Sequence, residues 1–255
     1  MTLRLEKDGK VAHLLIDRAA KRNAFNQAMW EAFPDLLHDA MADKSIRVLI
    51  VRAAESGSAF CAGADIGEFA NGVEHPEWRA KNQAAINRVQ HELTRAAKPT
   101  IAVIDGDCVG GGCGLAIACD FRIAGPNARF GITPAKLGLV YPLHDTKLLV
   151  DLVGPSEAKK LLYTGRLITA EEALRIGLIT SLANISQVEA GALTQELIAG
   201  SPHSQRMSKA LIRRILDGQA HDDDDSRAQF NAAFDGKDFA EGVSAFLAKR
   251  KPDFS

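Results

Sequence analysis

Two segments built on one local pattern constrain this chain more than any other feature. The β-branched run Ile46-Arg47-Val48-Leu49-Ile50-Val51-Arg52 passes through a small polar turn, Glu55-Ser56-Gly57-Ser58, into Phe60-Cys61-Ala62-Gly63-Ala64-Asp65-Ile66. A second run, Pro99-Thr100-Ile101-Ala102-Val103-Ile104, is broken by Asp105-Gly106 and leads to Val109-Gly110-Gly111-Gly112-Cys113-Gly114-Leu115. Both read as strand, turn, small residues, helix. Short β-branched runs between breakers predict buried strands. Consecutive glycines permit backbone angles and close approaches that a side chain forbids. The apolar stretch Leu115-Ala116-Ile117-Ala118-Cys119 then continues as a short helix. Its N-terminus presents unpaired N–H groups and the positive end of a dipole, a setting for a developing oxyanion or a phosphate. A glycine triplet alone serves a tight turn or close helix packing just as well.

Taken together and in order, the motifs resemble the crotonase (enoyl-CoA hydratase/isomerase) superfamily. The likeness runs from Arg22-Asn23-Ala24-Phe25 through both glycine segments to Glu241-Gly242-Val243-Ser244-Ala245-Phe246-Leu247-Ala248-Lys249-Arg250. It implies an α/β fold, a spiral of β-β-α units with a helical C-terminal lobe, divided here as residues 1–195 and 196–255, the lobe serving oligomerisation. It implies that the backbone N–H groups of Ala64 and Gly111 form the oxyanion hole for an acyl-CoA thioester. Loss of one such donor costs about 10²–10³ in rate in other enzymes. By the same resemblance Ala24, Ala62, Asp65 and Ile66 line the adenine and pantetheine path of coenzyme A. Lys21 or Arg22 lies near its phosphates, and Phe246 and Lys249 reach toward the coenzyme A of a neighbouring subunit. Coenzyme A enters as part of the substrate, no separate cofactor is expected, and the implied assembly is a homotrimer, often paired into a hexamer.

The chain departs from the family where the proton is moved. Hydratases of the family carry two glutamates that hold a water and shuttle its proton; here those positions are Gly114 and Pro134. Neither residue is an acid or a base, and general acid–base catalysis contributes about 10²–10⁴. Ordinary hydration is therefore not the expected reaction, nor is isomerisation through the second glutamate. The nearby run Leu139-Val140-Tyr141-Pro142-Leu143-His144-Asp145-Thr146 supplies other candidates. Its tyrosine resembles one in methylmalonyl-CoA decarboxylases, although those use a histidine where this chain has Ala64. Tyr141 is the candidate donor, Asp145 the candidate base, and His144 a weaker one. Simple loop packing by Tyr141, and capping of a helix from Thr146 to Val153 by Asp145, compete with these roles. The expected function is an enolate-forming acyl-CoA enzyme, a lyase or isomerase of fatty acid metabolism. A decarboxylase of methylmalonyl-CoA type and a catalytically silent coenzyme A-binding subunit are the alternatives.

Composition narrows the rest. The net charge of −1 favours neither nucleic acid nor a membrane surface as a partner. No apolar run approaches the roughly 20 residues of a membrane span, and the first residues lack a signal segment. The four cysteines have no paired metal-ligand spacing and read as buried thiols, so no metal site is expected and a cytoplasmic setting is. The acidic run Asp222-Asp223-Asp224-Asp225 reads as a solvated loop with helix N-terminal charges. Asp120 matches a structural aspartate of the family.

The remaining pattern predicts a strand over Val11–Asp17 and a helix over Gln27–Met41. It predicts helices over Ser156–Tyr163 and Thr169–Ile176, a strand over Gly177–Leu182, and helices alone beyond about Ala190. Ser201-Pro202 is a cap and first-turn pair, and Phe239–Lys249 carries an apolar stripe.

Overall fold

The structure, a computed structural model, describes residues 2–72 and 74–254. It opens with strands β1 (Leu3–Asp8) and β2 (Val11–Ile16), helix α1 (Gln27–Ala42) and strand β3 (Val48–Ala53). Helices α2 (Ile66–Gly72) and α3 (Pro76–Thr94) lead to β4 (Thr100–Ile104), β5 (Asp107–Val109) and α4 (Gly111–Ile117). Strands β6 (Phe121–Ala124) and β7 (Arg129–Gly131) precede the long α5 (Leu143–Thr164), then β8 (Ile168–Thr169), α6 (Ala170–Arg175) and β9 (Ser181–Leu182). From there the described chain is helical: α7 (Ser186–Ala199), α8 (Pro202–Leu216), α9 (Asp224–Ala232) and α10 (Lys237–Leu247). No helix among the described residues is long and apolar enough to cross a membrane.

Six of the described strands form one sheet in the order β1-β2-β3-β4-β6-β9, antiparallel only between β1 and β2. Its central strands are covered on both faces, as parallel strands require. Leu49 and Val51 point into the main core with Trp30, Phe33 and Leu37 of α1, while Val48 and Ile50 point the other way, toward Ala190, Leu193 and Leu197 of α7. The period-2 alternation of side chains across the strand produces this division. Helix α1 keeps its apolar stripe inward, and Asn26 caps it by accepting the Met29 N–H at 3.0 Å.

A second small sheet, β5-β7-β8, stands beside the first. It puts the residues after Val109 against those after Cys61. The central glycine of the triplet makes that approach possible: a methyl carbon on Gly112 would overlap the Cys61 carbonyl oxygen and lie 2.7 Å from the Cys61 side chain. Backbone cannot retreat as a side-chain tip can. Gly112→Ala is therefore expected to destabilise the fold by about 3 kcal/mol or more, at the upper end of overpacking costs. A thermal melt followed by circular dichroism checks it, and a wild-type midpoint would refute this account of the contact.

Several local expectations change in the structure. The strand expected over Gly177–Leu182 is paired only at Ser181–Leu182, because Gly177 has φ 78° and the Leu178 and Ile179 N–H groups both turn back to the Ala173 carbonyl. The helices read separately around Thr146–Val153 and Ser156–Tyr163 are the two halves of α5, separated by the non-helical Gly154 with φ 73° and ψ 167°. Strand β5 was absent from the sequence reading. Its three residues carry too short a pattern to register by periodicity. The aspartate run resolves as expected: Asp223 caps α9, and Asp223, Asp224 and Asp225 pair with Arg214 or Arg227. Asp120 is structural, accepting from the Thr100 backbone at 2.8 Å and from Lys209 at 2.8 Å.

Candidate active site at the glycine segments

The two glycine segments meet side by side. Cys61 N–H donates to the Asp107 carbonyl at 3.1 Å, and Val109 N–H donates to the Cys61 carbonyl at 2.9 Å. On the outer side, Phe25 N–H donates to the Gly63 carbonyl and Asp65 N–H donates to the Phe25 carbonyl, both at 2.8 Å. In this parallel bridge Gly63 and Asp65 engage Phe25, so the Ala64 N–H between them faces away and has no backbone acceptor among the described residues. The Gly111 N–H opens α4, where no intrahelical acceptor exists, and it too has none. The segments are in contact, since a methyl on Gly63 would lie 3.6 Å from the Gly111 nitrogen. Gly110 holds this junction with φ 55° and ψ −119°, backbone angles suited to glycine, while its N–H donates to the Gly131 carbonyl at 2.8 Å.

One turn along α4, Gly114 is roofed by three polar side chains. A methyl carbon there would lie 2.5 Å from Gln90 Nε2, 2.9 Å from the Tyr141 hydroxyl and 3.3 Å from Asp145 Oδ2. Gln90 comes from α3, Tyr141 from the loop before α5, and Asp145 from the first turn of α5. Asp145 is not a helix cap, since Pro142 occupies the cap position. Its carboxyl is 1% exposed, Oδ1 has no hydrogen-bond partner, and burial pushes its pKa up to about 7. Tyr141 is also buried, its hydroxyl 3.5 Å from the Gly110 carbonyl oxygen. Burial first and the neighbouring Asp145 second raise its pKa well above the usual phenol value, so it stays a donor. Gln90 is fully buried, and neither of its amide atoms has a partner.

Pro134 begins a 3-10 turn, Pro134–Leu137, beside the same junction; Thr133 Oγ1 would lie 3.9 Å from a methyl on Gly110. His144 is one residue from Asp145 on α5, with Nε2 buried and unpartnered, its ring 6.0 Å from that of His91. Burial lowers its pKa, which favours the neutral ring. The thiols are buried, and burial pushes those of Cys61 and Cys119 up to about 12, so neither is a nucleophile at neutral pH. A cavity of about 390 Å³ opens one helical turn beyond the Gly114 roof, between Ile117, Leu148, Leu152 and the α8 residues Lys209 and Ile212.

The residues expected along the coenzyme A path divide. Ala24 and Ala62 lie beside the first glycine segment, where the Ala62 N–H donates to the Arg22 carbonyl at 3.0 Å, and Ile66 is 58% exposed at the start of α2. Arg22 is paired with Asp107, which also holds Arg129 at 2.7 Å, and Asp65 is paired with Arg18 at 2.7 Å. Phe246 is exposed on α10, which packs on the 3-10 turn Ala233–Asp235, and Lys249 lies just past its end with φ 53°. Gln90 escaped the sequence reading. Its signal was available: with Ile86, Val89 and Leu93 it sits at helical spacing on a face that must point inward.

Comparison with known proteins shows the family and the fold. The family pattern described as enoyl-CoA hydratase/isomerase matches residues 6–255. A crotonyl-CoA hydratase of Syntrophomonas wolfei is 35% identical, the match covering 98% of this chain and 96% of that protein. A short-chain-enoyl-CoA hydratase of Clostridium acetobutylicum is 34% identical over 97% and 95%. Among solved structures, an enoyl-CoA hydratase/isomerase family protein from Hyphomonas neptunium superposes with a TM-score of 0.97 at 37% identity, covering 100% of this chain and 98% of that one. An enoyl-CoA hydratase from Bacillus anthracis gives 0.90 at 28% identity, over 100% and 99%. With the mixed α/β architecture and the paired glycine segments, these matches establish that the chain belongs to the enoyl-CoA hydratase/isomerase family, within the crotonase superfamily.

Proposed function

We propose that this protein is an acyl-CoA enzyme that forms a thioester enolate, with Asp145 as its acid–base residue and Tyr141 as a hydrogen-bond donor, rather than an ordinary enoyl-CoA hydratase. One observation carries the reading. The Tyr141 hydroxyl and Asp145 carboxyl converge above Gly114, one helical turn from the Gly111 N–H, which has no backbone acceptor among the described residues; Gly114 is the position at which the resemblance implies a hydratase glutamate.

The chemistry follows from the parts. A thioester oxygen seated at the Ala64 and Gly111 N–H groups accepts electron density as a bond at the α-carbon breaks. In a proton transfer, the Asp145 carboxylate takes the α-proton, the C–H pair moves into the enolate, and the same carboxyl returns the proton at the same or an allylic carbon. A pKa near 7 suits both directions at neutral pH. Tyr141, kept protonated by burial, donates toward the reacting group without giving up its proton. The names of the relatives, which act on crotonyl-CoA and short-chain enoyl-CoA, support a CoA thioester as substrate. The C-terminal helices supply an exposed apolar face at Phe230, Phe234 and Phe246, consistent with an oligomerisation lobe.

The test is mass spectrometry of saturated, 2-enoyl, 3-enoyl and malonyl-type CoA thioesters incubated with the protein in heavy water. Incorporation of deuterium at the α or γ carbon is expected. Loss of carbon dioxide from the malonyl-type thioester would assign the decarboxylase alternative. Binding without any change to any thioester would refute the reading in favour of a silent subunit. Tyr141→Phe is expected to lower exchange about 10- to 100-fold with the fold intact, as loss of a donor that strengthens toward the enolate should. Unchanged exchange rates in that variant would remove Tyr141 from the site.

A further inference from the structure

We infer that Gln90 is a positioning residue of this site: its amide, held at the roof of Gly114, orients the Asp145 carboxyl by hydrogen bonding to it when that group is ionised. The inference rests on the enolate-forming reading for its catalytic meaning, but the convergence of the side chains is geometric. Gln90 Nε2, the Tyr141 hydroxyl and Asp145 Oδ2 all lie within 3.3 Å of one point above the Gly114 Cα. No side chain at 114 separates them.

The amide is out of place unless it acts on its neighbours. Gln90 is fully buried on α3, with Val89 and Leu93 beside it, and both of its polar atoms lack partners. Burying an amide without hydrogen bonds is unfavourable, and an apolar side chain of the same length would fill the position more stably. Asp145 presents the complementary need, a buried carboxyl with an unpartnered oxygen and no compensating cation. An N–H aimed at the roof favours the charged form and narrows its rotamers, while Gly114 keeps the approach open. The other titratable groups around the carboxyl are Tyr141 on the preceding loop, His144 on the same helix with His91 of α3 behind it, and the buried Cys113 of α4 and Cys108 of β5. Of these, the buried thiols are weak donors and the neutral His144 ring lies one residue along the helix. Tyr141 is the nearest rival, and its hydroxyl is shared with the Gly110 carbonyl.

The experiment compares Gln90→Met with the wild-type protein. Methionine keeps the length and apolar volume and removes both polar atoms, so the variant is expected to fold with an unchanged or higher melting temperature. The carboxyl at 145 is titrated by infrared difference spectroscopy, its band identified by its loss in Asp145→Asn. In Gln90→Met the midpoint is expected to rise by at least half a pH unit, and turnover in the deuterium-exchange assay to fall about 10- to 100-fold with the rising limb of its pH profile displaced the same way. A carboxyl midpoint that stays in place overturns the assignment, whatever happens to turnover. If Asp145→Asn exchanges deuterium at the wild-type rate, the functional reading fails instead, and the titration still decides whether the amide and carboxyl interact.

Discussion

Asp145→Asn is expected to lower turnover about 10²–10⁴-fold, the contribution of a positioned acid–base group, and at the same time to make the protein more stable. The two effects have one cause. Burial alone pushes the Asp145 carboxyl up to about 7. In the unfolded chain the same group ionises near 4. Between those values the folded state holds a proton that the unfolded state has released. The stability associated with that proton is fully present below pH 4 and is lost as pH rises toward 7, at up to about 1.4 kcal/mol per unit. Above pH 7 the charge is buried without a cation, and the cost stays constant. Replacing the carboxyl by an amide removes it, so at pH 8 the variant should gain on the order of 1–4 kcal/mol. The wild-type rate should rise with pH through about 7 and then level, because the base must be ionised. Thermal melts at pH 5 and 8, with a pH–rate profile, decide the matter. A variant less stable than wild type at pH 8, or fully active, would contradict the assignment.

Gly114 variants should lose activity without the gain in stability. In Gly114→Ala the added methyl sits 2.5 Å from Gln90 Nε2 and 2.9 Å from the Tyr141 hydroxyl, closer than real contacts allow. Both groups are side-chain tips and can shift by a fraction of an ångström. A gain of about 1 kcal/mol in helix propensity then offsets most of the crowding, and the melting temperature should change little. Turnover should fall about 10- to 100-fold, because displacements of that size misalign reacting groups. Gly114→Glu puts a glutamate where the family resemblance implies that hydratases carry one, yet hydration should not appear. The longer chain must displace Tyr141 and Asp145 and places a second carboxyl beside one already raised by burial. Activity is expected to drop at least 10²-fold, with destabilisation of about 1–3 kcal/mol. Hydration of a 2-enoyl-CoA by Gly114→Glu would show that the site is a hydratase that a glutamate at 114 suffices to restore, and not a rebuilt one.

Much of the molecule was legible beforehand because local pattern and tertiary role coincide. Val48 to Val51 and Thr100 to Ile104 are β-branched runs bounded by breakers, and a strand buried on both faces has no alternative. Met29, Phe33 and Leu37 recur at helical spacing, and α1 buries that stripe. The short elements β5 and β8 carried no such pattern, and β9 was read as a longer strand over Gly177–Leu182, since two or three residues are paired only because a neighbouring strand arrives beside them. Among the candidate site residues, Ala64 and Gly111 were named by the resemblance that the ordered glycine segments carry. Gln90 could not be assigned, because α3 reaches the roof of Gly114 only through the packing of α3 on α4 and α5.

By itself the sequence pointed to the family through its ordered motifs and put no carboxyl at 114 or 134, both of which depend on residue identity and short-range order. Only the tertiary structure decided what stands in their place. In the sequence Asp145 reads either as a candidate base or as a helix cap, and the fold gives the cap position to Pro142; Gln90 lies 55 positions from Asp145 in the chain. Burial raises one group's pKa and leaves the other's amide without a partner, and burial is a property of neighbours distant in sequence.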